Sequence, residues 1–225
     1  MIPIDGTVML EIAPHFTGAN GVRQAEIIRA ISPVLASTLE TYDINTRLRI
    51  AHFLGQTCHE SAGFRTTEEF ASGVAYEKRK DLGNAKPGDG PRYKGRGLLQ
   101  LTGRANYHEY GEALKIDIED HPEMAAEPAL SLRIACEYWK KHNINSFCDR
   151  DDLVAVTRKV NGGTKGLDAR NAYTRKAKEA LARIEGIQLT GAQQEERPVL
   201  RPGSTGEVVG AIARHAAEAE ISAGH

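Results

Sequence analysis

Apolar residues recur at helical spacing in several separate stretches of this chain, and strand-like alternation is scarce, so the main domain is predicted to be mainly α. Residues 22–31, "VRQAEIIRAI", place Ala25, Ile28 and Ile31 near one face. Ser32-Pro33 then reads as an N-cap with proline at the first helical position, opening a second helix to about Tyr42. Asn45-Thr46 caps a third, which turns Leu48, Ala51, Leu54 and Cys58 inward and stops near Gly63. Helical pattern returns at 103–114, at 128–142 and at 151–160, the last capped by Asp151; Asp168 caps a final helix to about Ile184. Residues 71–97 are poor in aliphatics, and "NAKPGDGPRYKGRG" is loop chemistry with room for a short hairpin at most.

A chain of 225 residues, 40% hydrophobic and 26% charged, can bury a sizeable core without staples. The formal net charge of −1 gives no global pull on nucleic acid, and none is expected as a partner. The run 76–104 is locally basic through Lys78, Arg79, Lys80, Lys86, Arg92, Lys94, Arg96 and Arg104. It reads either as a solvated surface or as a cleft wall meeting an anionic or polar polymer. Cys58, Cys136 and Cys148 fit no metal or disulfide spacing and read as reduced thiols, Cys58 in the core rather than as a nucleophile. No HExxH or paired-cysteine metal site occurs, so neither metal nor cofactor is expected. The start "MIPIDGTVMLEIAPHF" lacks a signal peptide's pattern, and no run approaches a membrane span. Synthesis in the cytoplasm without membrane insertion is therefore expected, with any action outside depending on another factor. From residue 188 the composition shifts to "QLTGAQQEERPVLRPGSTG", a linker by composition, and "EVVGAIARHAAEAEI" has the pattern of one more helix.

Three stretches carry candidate chemistry. In "GQTCHESAGFRTTEEF", residues 55–70, Glu60 lies at the end of a helix with an apolar inner face. Desolvation and the negative end of the helix dipole favour the protonated carboxyl of a general acid there. Glu69, beyond the Gly63 turn in a more polar run, suits a general base; a solvated surface is the alternative for Glu60, Glu68 and Glu69 alike. His59 beside Glu60 reads as fixing backbone rather than as a base. In "YKGRGLLQLTGRANY", residues 93–107, Gly95 and Gly97 allow close backbone approach. Gln100 and Thr102 alternate with Leu99 and Leu101 on one face of an extended segment, offering an amide and a hydroxyl to a sugar or a water; a turn and buried strand end is the alternative. In "VNGG", residues 160–163, Asn161 reads more simply as a helix cap than as a ligand group. Tyr138 and Trp139 are most simply core.

Taken together and in this order, "AHFLGQTCHESAGF" (51–64), "YKGRGLLQLTGRANY" (93–107) and "VTRKVNGG" (156–163) resemble glycoside hydrolase family 19, which includes plant-type chitinases and phage endolysins. The resemblance covers roughly residues 22–186. It implies a lysozyme-like bilobal domain with a catalytic cleft, Glu60 as general acid, Glu69 as general base at the phage-type spacing, and Thr102 positioning the attacking water. It further implies substrate binding by Gln100 and Asn161; Tyr107 in the second motif and His59 beside the acid complete the expected substrate-binding set. The chain departs from plant chitinases at Ser61 and Ala62, where those enzymes have two threonines, and lacks their disulfides and extra loops. Glu68 beside Glu69 leaves a one-residue ambiguity about the base. The stretch 199–217, through Leu200, Gly203, Gly206 and Val209, resembles the opening of a peptidoglycan-binding module.

The sequence thus predicts a catalytic domain over 1–187 and a linker and helical tail over 188–225. The expected activity is hydrolysis of β-1,4 bonds between N-acetylated amino sugars of bacterial peptidoglycan by an inverting monomer acting at the cell wall. Chitin is the alternative substrate, and a non-catalytic wall-binding protein on the same fold is a second alternative.

Overall fold

The computed structural model describes residues 2–195. The described residues up to 185 form one compact unit, and the described residues 186–195 belong to a second. The stretch that resembles a wall-binding module, 199–217, lies outside the described residues.

The first unit opens with α1 (Gly6–Ile12), capped by Asp5, whose carboxylate accepts from the Thr7 amide. Then α2 runs unbroken over Gly18–Thr41 with Pro33 inside it, where two helices were predicted. Proline in a helix interior costs about 3 kcal/mol. Ile31, Leu35 and Leu39 form one fully buried stripe across the break, and that shared stripe holds the helix together. Ser32 does not cap it; its hydroxyl instead accepts the Gly6 amide at 2.9 Å and satisfies the start of α1.

Thr46 caps α3 (Arg47–Glu60), and α3 ends in a reversal through Ala62, Gly63 and Phe64, all at positive φ. Next come two short 3₁₀ turns, Val74–Tyr76 and Lys80–Leu82, and α4 (Asp89–Arg92). The only extended pairing among the described residues is two isolated bridges, Glu68 with Arg96 and Arg96 with Leu101. After them come α5 (Arg104–Leu114), a 3₁₀ turn (Pro122–Ala126), α6 (Pro128–Lys141), α7 (Asn145–Cys148), α8 (Leu153–Asn161) and α9 (Leu167–Glu195).

Two predicted caps shift, the first by one residue and the second by two. Asp152, not Asp151, caps α8 by accepting the Ala155 amide at 2.9 Å. Asp151 sits at φ 56 and accepts two bonds from Lys178 while lying 2.7 Å from the buried His52 ring. Asp168 is the second residue of α9 rather than its cap, and residues 188–195, read as linker, continue that helix.

Two buried clusters define two lobes. The larger gathers Ile31, Leu35, Phe53, Leu54, Trp139 and Leu181. Trp139 meets Phe53 edge-on at 5.2 Å and donates its indole N–H to Asn145. The smaller holds Tyr93, Leu101, Tyr107, Tyr110, Ile118 and Ile134. Helix α6 serves both, with Leu132 and Trp139 in the first cluster and Leu130 and Ile134 in the second; Tyr138 packs against each. All three cysteines are free and buried, and burial pushes the Cys148 thiol up to about 12 and Cys58 higher.

Candidate active site

Glu60 is the last residue of α3, and its side chain is 20% exposed. The structure replaces the lone carboxyl expected against an apolar wall with an ion pair. Arg170, itself 1% exposed, reaches Glu60 from the first turn of α9. The same guanidinium donates to Gln56 Oε1 at 2.5 Å and to the Lys165 carbonyl at 3.0 Å. Gln56 Nε2 in turn donates to Thr157 Oγ1 at 3.0 Å, so the pair closes into a buried network joining α3, α8 and α9. Arg170 was not singled out from the sequence. Its signal is positional: it falls on the stripe of Thr174, Ala177 and Leu181, all buried, where an arginine must have a partner.

Glu69 lies on the other side of the reversal, in the loop run. Its amide donates to the Gly95 carbonyl at 2.9 Å, and the Gly95 amide donates back to Glu69 Oε1 at 2.7 Å. Tyr76 donates to Oε2 at 3.0 Å, and burial and this bond raise the phenol. Glu68 points elsewhere, paired with Lys94 at 3.1 Å and Arg96 at 3.2 Å.

Gln100 and Thr102 do meet Glu69, though not along a strand. Gln100 sits at φ 55 in the turn closed by Arg96 and Leu101, and Thr102 Oγ1 donates to the Gln100 carbonyl at 2.8 Å. A Cβ on Gly95 would lie 2.9 Å from Gln100 Oε1 and 3.3 Å from both Glu69 Cδ and Thr102 Oγ1. The carboxyl, the hydroxyl and the amide therefore converge on the one place where the chain has no side chain.

The remaining predicted site residues separate. Asn161 closes α8 and bonds its own loop, donating to the Lys165 carbonyl at 3.1 Å and accepting the Gly163 amide at 3.0 Å. His59 packs under that loop: a Cβ on Gly166 would stand 2.4 Å from its ring, and burial, then the nearby Arg170, lowers its pKa. Tyr107 was expected to touch substrate. It is instead fully buried, donating to the Lys94 carbonyl at 2.8 Å and accepting from Arg96 at 3.1 Å, so it supports the glycine turn from beneath. Four of the eight basic residues in the run form ion pairs with nearby carboxylates. Arg79 pairs with Asp81, Arg104 with Asp89 and Glu119, and Lys94 and Arg96 with Glu68. Lys94, Arg96 and Arg104 act as internal staples, whereas Arg79 with Asp81 is a surface pair.

A groove of about 260 Å³ is lined by residues that include Leu99, Gln100, Thr102, Tyr110, Tyr138 and Val160. Burial, and then the charge of Glu60, raises the hydroxyl of Tyr138 in this groove. A second groove of about 370 Å³ runs past Glu69, Arg65, Arg23 and Phe70. Among the described residues no group of three or more His, Cys, Asp or Glu is placed to hold a metal ion. Aromatic faces, an amide and a hydroxyl beside carboxylates suit a neutral, hydroxyl-rich ligand.

A mainly helical, two-lobed domain with a carboxyl, a hydroxyl and an amide gathered around Gly95 is a lysozyme-like glycosidase. The family model for glycoside hydrolase family 19, described as chitinase class I, matches residues 18–158, and the chain belongs to that family. It is 29% identical over 174 residues to a glycosyl hydrolase family 19 domain-containing protein of Haemophilus influenzae, covering 64% of this chain and 85% of that one. It is 32% identical over 114 residues to acidic endochitinase Q of Nicotiana tabacum, covering 50% of this chain but only 42% of the plant enzyme. Among solved structures, chitinase C from Streptomyces griseus superposes with a TM-score of 0.58 at 19% identity, over 80% of this chain and 92% of that one. The class IV chitinase from Zea mays gives 0.58 at 20%, over 80% and 93%. At such identity the two structures speak to the fold alone.

Proposed function

We propose that this chitinase-like glycosidase cleaves the β-1,4 bond between N-acetylated amino sugars of bacterial peptidoglycan, with inversion. The observation that carries the reading is the convergence of Glu69, Thr102 and Gln100 around Gly95, while Glu60 is held separately by Arg170. Glu60, as general acid, gives its proton to the leaving glycosidic oxygen as the bond from that oxygen to the anomeric carbon breaks. A water held by Glu69 and Thr102 attacks the same carbon, and its proton passes to Glu69. The two carboxyls share no hydrogen-bond partner, which suits distinct roles on opposite faces of the sugar. Gln100 orients the strand, while Asn161 holds the loop after α8. A cell-wall site of action, reached by release or by another factor, follows from this substrate.

Chitin is the second reading, favoured by the endochitinases among the relatives. Peptidoglycan is preferred because the match to the bacterial relative spans most of that protein, whereas the plant match spans less than half of the enzyme. Mass spectrometry of muropeptides after digestion of purified sacculi tests the choice. New reducing ends on an amino sugar are expected, and sacculi left intact beside cleaved chitin oligomers would transfer the activity to chitin.

A further inference from the structure

The groove beside Glu69 contains two arginines that the mechanism does not use. Arg65 follows directly on the reversal after α3, and Arg23 projects from α2. The Arg65 guanidinium carbon lies over two rings, 5.0 Å from the centre of Phe16 and 5.8 Å from that of Phe70. Its Nε is buried and has no hydrogen-bond partner. A buried, unpartnered guanidinium N–H is costly, and so calls for an acceptor.

The acceptors near at hand do not meet that need. Three carboxylates line the groove with the arginines: Glu26, Glu68 and Glu69. Glu68 is taken by Lys94 and Arg96, and Glu69 by the Gly95 amide and the Tyr76 hydroxyl. Glu26 is exposed, one turn along α2 from Arg23, and it forms no ion pair with either arginine among the described residues. The two rings lie beside the guanidinium, whose terminal nitrogens form no ion pair among the described residues and can take a planar anion. Phe70, 73% exposed, forms a lip beside it that can receive an apolar face.

We propose that Arg65, with Arg23, forms a carboxylate-binding subsite next to Glu69, which selects glycan strands carrying a carboxylate over neutral ones. Guanidinium–carboxylate pairing is planar and bidentate, a match that hydroxyls and acetamides cannot reproduce. The inference rests on the peptidoglycan reading above. In that polymer the carboxylate belongs either to the lactyl ether of the sugar or to the attached peptide. Chitin has neither.

The test compares the wild type with Arg65→Gln and Arg23→Gln on four soluble substrates. These are peptide-bearing glycan strands, strands stripped of peptide by an amidase, carboxymethyl chitin, and neutral glycol chitin. The wild type is expected to favour the carboxylate-bearing substrates. Arg65→Gln is expected to shrink that preference, measured as the ratio of KM values against glycol chitin, by about tenfold or more, since a bond to a charged group is lost. Arg23→Gln, on the exposed face of α2, is expected to move the ratio the same way by less, which guards against a folding defect in the first variant. Loss on stripped strands assigns the lactyl carboxylate, and loss confined to peptide-bearing strands assigns the peptide. An unchanged ratio in both variants, or equal loss on neutral and charged substrates, overturns the subsite. A wild type that ignores both wall strands yet cleaves both chitins ends the peptidoglycan reading alone. The carboxymethyl-to-glycol ratio then still decides the arginines.

Discussion

Glu60 closes a capped helix of 14 residues, in which every position from Ile50 to Cys58 is buried, and Arg170 pins it to α9. Glu69 stands in a run whose only extended pairing is two isolated bridges, and three bonds from Gly95 and Tyr76 hold it. The helix half of the site takes its position from apolar packing, and the loop half from hydrogen bonds and from clearance at a glycine. In the helix half, losing the clamp should cost stability, while the surrounding packing still keeps the helix in place. A loop placed by a few directed bonds has no such reserve, so small changes there should be felt in turnover before they are felt in stability.

The largest effects should come from the two carboxyls, alike in both halves. Glu60→Gln and Glu69→Gln keep the side-chain shape and remove proton transfer, so each is expected to lower turnover by about a hundred- to ten-thousand-fold. Glu68→Gln, whose target is a half-exposed ion pair, serves as the contrast and should cost only a few-fold. Rates on one soluble substrate check the ranking, and the reverse order for Glu68 and Glu69 would move the base.

Arg170→Ala attacks the helix half through its clamp. It removes the buried charge opposite Glu60 and leaves Gln56 without its donor, so denaturant unfolding should show a loss of about 3–5 kcal/mol. A loss below 1 kcal/mol would mean that packing alone places α3, and that the clamp serves orientation only.

Gly95→Ala attacks the loop half by volume. The Gly95 backbone is not in the left-handed region, so the cost is the clash with Gln100 and the displacement of Glu69 and Thr102. Turnover should fall on the order of ten- to a hundredfold from misplacement of the reacting groups. The thermal midpoint should barely move. A large drop in stability with normal turnover would contradict the division between the halves.

The smallest effect at neutral pH concerns Asp89, which is 1% exposed under the loop run. Its pair with Arg104 holds its carboxyl below the ordinary range, against burial, with help from the Lys86 amide. A carboxyl lowered on folding adds stability above its unfolded value of about 3.9, and that contribution is lost as the pH falls through the folded value. Hydrogen exchange below about pH 4 should therefore rise in residues 80–93 before it rises in α2 and α3. Asp89→Asn should remove this difference, and simultaneous loosening of both regions would show that acid acts on the whole unit at once.

Periodicity made α3, α5, α6 and the cap at Thr46 legible, because each depends on residues within a turn or two of one another. The family resemblance of three short, contiguous motifs, rather than periodicity, pointed to Glu60, Glu69, Gln100 and Thr102. Periodicity divided α2 at Pro33, because proline's local cost is visible in the sequence and the stripe of Ile31, Leu35 and Leu39 that outweighs it is not. Tyr107 looked like a ligand group because a motif does not state which way its ring faces; Arg96 and the Lys94 carbonyl decided that it faces inward. What the sequence determined by itself is the helical class and the identity of the polar residues on offer. Only the tertiary structure decided which of them meet, since Glu60 is 110 positions from Arg170 and Glu69 is 26 from Gly95. Contacts at such separations are selected by the burial and hydrogen bonding of the whole folded unit, and no local pattern encodes them.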